Sequence, residues 1–317
     1  MVRGSGSKPI LPKRIQTMAL IGCLVVAAGL LSAVPPLQAQ PAGPVETVIP
    51  QLVQIIDTSR FSPPSPDPSG IAFLPSGDLL ISDGEVEEIR EWFEGANVFE
   101  ATTASELVDA FDVTTFTSEP AGAAVNPRNG TLFLSDDDAD RVFRIHPGRD
   151  GEFGTRDDRV TSFYTGAFGS TDPEGLAFGE GALFVADGIG AEVYRVSRGR
   201  NGVFDGVPPV GDDRVRHFDT SAIGQPDVEG IEFNPDAGTL YIVSTPNGSN
   251  IAETTTTGDL LRVIDVSFLH IKHPAGLAYG PGSASPAVDD LYIAARGVDN
   301  ATDPTENDGK IYEISFE

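Results

Sequence analysis

Five times along the chain an acidic or imidazole residue stands three positions ahead of a glycine that opens a short apolar run: Asp67, Glu119, Asp172, Asp227 and His273. Two copies carry a further carboxylate directly before the glycine, Glu174 and Glu229, where the others have Ser69, Ala121 and Ala275. Carboxylates brought together from separate segments repel one another and hold protons unless a cation lies among them. Calcium suits such a set, because it accepts many oxygen ligands in flexible geometry. A scaffolding reading stands beside this one. Acidic residues ahead of a turn accept hydrogen bonds from the next backbone amides, and a role shared by every copy suits architecture. Glu174 and Glu229 break the repeat, so a turn does not account for them.

A second acidic pattern lies in two related loops. Residues 148–158 contain Asp150, Asp157 and Asp158, and residues 199–213 contain Asn201, Asp212 and Asp213 in parallel places. Alternating Asp or Asn with Gly, followed by a double Asp, supplies oxygens for a structural calcium ion; long hairpin loops pinned by Phe153 and Phe204 explain the pattern equally well. The run Asp136–Asp140 reads as a solvated turn, and the oxygen-rich loop 299–309 could wrap a cation or cover a site. Neither has EF-hand spacing. Other chemistry is poorly supplied. There is no G-x-S-x-G elbow or P-loop, and of the four histidines only His273 falls in the repeated column, where it reads as a loop residue.

The elements that must position these residues follow from the repeat. The glycines fall at 70, 122, 175, 230 and 276, spaced by 52, 53, 55 and 46 residues. That period, filled with short apolar segments between Gly, Asp, Asn and Pro, is the signature of a β-propeller. The third copy gives four strands, A to D, at 175–178, 182–186, 192–196 and 214–219; the second gives 122–125, 131–135, 141–145 and 159–164; the first gives 70–73, 78–82, 88–93 and 106–111. A strand D ending recurs as Ile56-Asp57-Thr58-Ser59, Phe218-Asp219-Thr220-Ser221 and Ile264-Asp265-Val266-Ser267. It makes 52–57 a strand D without its blade, while the fifth copy stops after a strand C at 310–316. Pairing the two closes an all-β, five-bladed propeller and removes its open edges. A sixth blade would require a strand set degenerated beyond recognition. In such a ring strand A lines the axis, and the acidic column falls on the face formed by the D–A and B–C loops, here termed the top.

Blades reading "EGLAF…G.LFVAD…VYRV" resemble the NHL-repeat and gluconolactonase/regucalcin-like propellers over residues 52–316. The resemblance implies a central divalent metal held by a Glu of an E-G motif at the start of strand A, which Glu174 and Glu229 match, and a calcium-dependent lactone or ester hydrolase as one activity. Many unrelated functions use these blades, so a calcium-binding propeller with a ligand- or partner-binding top face is the leading expectation.

Residues 1–39 stand outside the repeat. Arg3, Lys8, Lys13 and Arg14 precede an uncharged apolar run from 18 to 34, then Pro35-Pro36 and Ala39. This reads as a secretory signal, with an uncleaved membrane anchor as the alternative, followed by a linker at 40–50 and the propeller at 51–317. The segment holds the one cysteine, Cys23, so the processed chain has no disulfide. Seventeen basic against 47 acidic residues then remain, a net charge of about −30. Such a surface disfavours nucleic acid and anionic membranes, and suits a secreted or periplasmic monomer. Few basic residues lie in the top loops (Lys272 and Arg296 chief among them), which argues against phosphoester chemistry.

Overall fold

The computed structural model of the chain describes residues 45–245, 248–298 and 302–316. The leader at 1–39 therefore lies outside the described residues, as do Asp299, Asn300 and Ala301 of the long last loop. Among the described residues no helix is long and apolar enough to cross a membrane.

Residues 43–317 form one compact unit of five antiparallel blades. In each the two inner strands are buried almost throughout, while the outermost is largely exposed. Blade 1 contains β3 (Pro68–Phe73), β4 (Leu79–Asp83), β5 (Val98–Ala101) and β6 (Leu107–Phe111). Blade 2 contains β7 (Ala123–Asn126), β8 (Thr131–Asp136), β9 (Arg141–His146) and β10 (Arg159–Tyr164), and blade 3 contains β11 (Pro173–Gly179), β12 (Ala182–Asp187), β13 (Glu192–Ser197) and β14 (Arg214–Asp219). Blade 4 runs β15 (Val228–Asn234), β16 (Thr239–Ser244), β17 (Asn250–Thr255), β18 (Leu260–Asp265). Blade 5 is β19 (Pro274–Pro281), β20 (Asp289–Ala295) and β21 (Lys310–Ser315), completed by β2 (Gln51–Asp57) from the other end of the chain. β2 runs antiparallel to β21, with Gln51 opposite Ser315 and Asp57 opposite Lys310.

Two expectations are corrected. The stretch 88–93 is not strand C of blade 1. Val86, Ile89 and Phe93 are spaced by three and four residues, and their backbone turns accordingly: Ile89 N–H donates to Val86 O, and Phe93 N–H to Ile89 O. Val86 and Ile89 are buried in the resulting turns, and the strand comes later, at Val98–Ala101. The segment read as a linker also contributes structure, since β1 (Glu46–Val48) adds parallel to β18 on the rim of blade 4.

The hydrophobic core is divided into five wedges, one between each pair of neighbouring blades. Ile56, Ile71, Phe99, Tyr292 and Ile311 join blades 5 and 1, while Leu277, Ile293, Tyr241 and Ile264 join blades 4 and 5; the other three clefts are filled in the same way. Five clefts for five blades close the ring.

At the axis the repeated glycines have a steric purpose. A methyl group on Gly122 would lie 2.3 Å from Glu174 O, on Gly175 2.6 Å from Glu229 O, and on Gly230 2.0 Å from Ala275 O. On Gly276 it would lie 2.6 Å from Ser69 O, and on Gly70 2.5 Å from Ala123 N. Each glycine thus abuts the innermost strand of the next blade, all the way round. A side chain at any of them would hold two blades apart.

Candidate functional site

A bulge distorts the start of four of the five innermost strands, at Pro68/Gly70, Pro173/Leu176, Val228/Gly230 and Pro274/Leu277. Bulges re-aim side chains, and here they turn the residue before each glycine towards the axis. Ser69, Ala121, Glu174, Glu229 and Ala275 form the floor of a small axial cavity on the top face. Its walls come from Glu119 and from three B–C loops, which supply Gly84 and Glu85, Asp137, and Arg296. The cavity volume is about 20 Å³, enough for one water or one ion and too small for an organic molecule.

Two halves of the cavity differ in charge balance. On one side the buried Arg296 guanidinium pairs with Glu85. Burial alone would lower the pKa of Arg296, but Glu85, Asp67, Glu229 and Glu174 outweigh it and hold the group charged. On the other side Asp137, Asp172 and Glu174 each bring a carboxylate oxygen within 4.8 Å of the others. No arginine or lysine pairs with these three among the described residues. Asp137 Oδ1 is buried without a hydrogen-bond partner, while Asp172 Oδ2 accepts the Ile189 N–H at 2.8 Å.

The carboxyl groups respond to this crowding. Glu119 is pushed up to about 9, first by burial and then by Asp137 and Asp138. Asp137 rises to about 6 through burial, reinforced by Asp172 and Asp138, and Glu174 rises well above the carboxylate range through burial and the charge of Glu229. Glu229 reaches about 7, because burial raises it and Arg296 pulls it part of the way back. An orphaned buried oxygen, a converging all-oxygen donor set and room for one ion together fit a hard cation such as calcium.

The remaining column residues are placed as follows. Asp227 approaches the site from blade 4: a methyl on Gly188 would lie 2.7 Å from Asp172 Oδ2, 3.3 Å from Asp227 Oδ1 and 3.4 Å from Glu174 Cγ. Asp67 is buried, its amide donating to Asp83 Oδ2 at 2.9 Å, and its charge helps to hold Arg296 charged. His273 is diverted, its Nδ1 lying 2.9 Å from Gly297 O. Asp83, Asp136 and Asp187 hold the B–C turns: Asp83 accepts the Val86 N–H at 3.0 Å and Asp136 the Ala139 N–H at 2.8 Å. Each also fastens the preceding D–A loop, through Ser65, Thr117 and the Thr171 amide respectively.

Sequence reasoning missed Glu85 and treated Asp137 as part of a solvated turn. Asp137 is half-buried and faces the axis. Its signal was its place directly after Asp136, at the end of strand B.

The two C–D loops use their carboxylates on their own backbones. Asp157 accepts from Arg149 N at 2.6 Å and Asp158 from Thr155 N at 3.2 Å. Asp212 accepts from Arg200 N at 2.7 Å, and Asp213 from the amides of Gly199, Asp205 and Gly206. Asp150 accepts from Glu152 N, and Asn201 donates to Asp205 at 2.6 Å. Asp205, Asp212 and Asp213 also bring carboxylate oxygens within 4.8 Å of one another.

Against proteins of known structure, the chain is similar to a glutaminyl cyclase from Myxococcus xanthus, at 14% identity and a TM-score of 0.53, over 86% of this chain and 97% of that one. It is also similar to a calcium-binding protein, regucalcin, from Agrobacterium tumefaciens, at 13% identity and a TM-score of 0.49, over 86% and 97%. A third, the PQQ-bound aldose sugar dehydrogenase from Streptomyces coelicolor, has 14% identity and a TM-score of 0.47, over 84% and 98%. These are β-propeller proteins. The likeness is one of fold. No protein-family model and no curated protein sequence matches the chain.

Proposed function

We propose that this is an exported propeller that binds one calcium ion at the top of its axis and offers the acidic face around the ion to a small-molecule or protein ligand. The observation that carries the reading is the uncompensated half of the axial cavity. There Asp137 and Glu174 of the lining converge with the adjacent Asp172, with an orphaned buried oxygen and, among the described residues, no salt bridge to any of the three, beside a space the size of one ion. Buried carboxylates left in this state are costly, and a divalent ion is the partner that their oxygens and geometry suit. Export is supported by the charge and hydropathy pattern of residues 1–39.

A second reading is favoured by Glu229. With a pKa near 7 on the floor of the same cavity, it is suited to accept a proton from water in a calcium-dependent hydrolase of lactones or similar esters. A bound cation would supply polarisation of the carbonyl, and the substrate would lie across the mouth, since the cavity itself does not admit it.

A thermal melt in chelator and in millimolar calcium tests the shared premise. At a hundredfold excess over Kd, calcium stabilises by about 2.7 kcal/mol, which raises Tm by about 5–10 °C in a domain of this size. Glu174→Gln and Asp137→Asn abolish the shift, while Asp212→Asn leaves it. A shift lost only in Asp212→Asn moves calcium to the C–D loop and overturns the axial site. Turnover on a lactone panel that disappears in Glu229→Gln selects the hydrolase; no turnover selects the binding protein.

A further inference from the structure

The opposite end of the axis carries a different symmetry-breaking residue. Two positions after the repeated glycine, four blades have alanine (Ala72, Ala124, Ala177 and Ala278), each almost fully buried. Blade 4 has Glu232. Its carboxyl accepts the Phe233 N–H, and among the described residues no arginine or lysine pairs with it. The ring closes with alanine at this position in every other blade, so architecture does not call for a carboxylate there, and an unpaired one is a burden on folding.

Glu232 lines a cavity of about 300 Å³ at the bottom mouth, together with Phe73, Phe178, Phe233 and Tyr279 from four different blades. The aromatic rings are braced in place: Phe73 lies against Gly280 and Phe233 against Gly179 of adjoining blades, and Phe178 stacks on Phe133 at 5.8 Å. Two further charges stand on the exposed rim. Glu180 there is already paired with Arg195 at 2.9 Å, and Arg128 carries the one positive charge of the lining. The volume is at the small end of the range for organic ligands, and is far larger than the ion-sized space at the top. A rigid apolar chamber with one carboxylate in its wall is complementary to a cation that has an apolar body, because ring faces and the carboxylate both attract positive charge.

We propose that the bottom mouth is a binding site for a small organic cation, an amine or amidine on an apolar body, with Glu232 as its counter-ion. This site is independent of the calcium reading of the top face.

Benzamidine serves as the probe, with benzyl alcohol as a neutral analogue of similar shape, and binding is followed by titration calorimetry. The wild-type protein binds benzamidine and not benzyl alcohol. Glu232→Gln and Glu232→Ala weaken benzamidine at least tenfold, while Glu174→Gln binds as wild type. Without ligand, Glu232→Ala melts at a higher temperature than wild type, since it installs the residue of the other four blades. Equal benzamidine affinity in wild type and Glu232→Gln overturns the proposal, as does equal affinity for the alcohol. A lower melting temperature for Glu232→Ala would show the carboxylate to be structural, and also overturns it.

Discussion

At the scale of single residues, the top of the axis is a set of acids whose protonation is linked to folding. Glu119, Asp137, Glu174 and Glu229 all have folded-state pKa values raised above those of an unfolded chain. The folded protein therefore binds more protons than the unfolded one between the ordinary value of 4.5 and about 9, and stability must fall as pH rises through that window. Asp83, Glu87 and Glu232 are shifted in the same direction and add to the slope. In chelator, Tm should drop steadily from pH 5 to pH 9. Calcium bound as proposed at the axis would replace those protons, so saturating calcium should flatten the upper part of the profile in wild type and not in Asp137→Asn. A chelated protein whose Tm rises from pH 5 to pH 9 would contradict the assignment of buried, proton-holding acids.

At the scale of elements, the innermost strands decide both shape and site. Gly175→Ala places a methyl 2.6 Å from Glu229 O and 3.0 Å from Gly230 Cα, backbone that cannot yield without moving blade 4. Overpacking of this kind costs about 1–3 kcal/mol, whereas at Gly84 the nearest atom is the Ser69 hydroxyl at 3.3 Å and alanine should be nearly neutral. Urea midpoints of the two variants compare them directly. The glycine column was legible in the sequence because every blade must satisfy the same close approach at the axis, and the strand D endings because they recur. The loops over the axis were not. Asp137 and Arg296 both directly follow strand B, but the same column holds Gly84, Gly188 and Thr245 in the other blades and Glu85 lies one residue later, so only the folded chain shows which of these side chains reaches the centre. Strand C of blade 1 was hidden for a related reason: the apolar residues of the preceding B–C insertion imitate a strand in composition, though their spacing is that of a turn.

At the scale of the molecule, the ring is held by five equivalent wedges and one non-equivalent closure. A chain beginning at Thr58 lacks β2 and leaves the outer edge of β21 bare, with Ile56 gone from the cleft between blades 5 and 1. It should self-associate on gel filtration and lose its cooperative melt, because an open edge is a template for pairing. A chain beginning at Gln51 keeps the ring and should remain cooperative. A monomeric, cooperatively melting protein starting at Thr58 would show the closure to be dispensable.

The same closure sets an order in time. Gln54 reaches Glu313 at 2.7 Å across 259 residues of chain, and β1 waits in the same way for β18. The earliest strands to be synthesised are thus among the last to find partners, and closing so long a loop is slow. A chain delivered N-terminus first must keep β2 unpaired until β21 arrives, so the emergence of β21, and not the folding of any one blade, gates the appearance of both axial mouths.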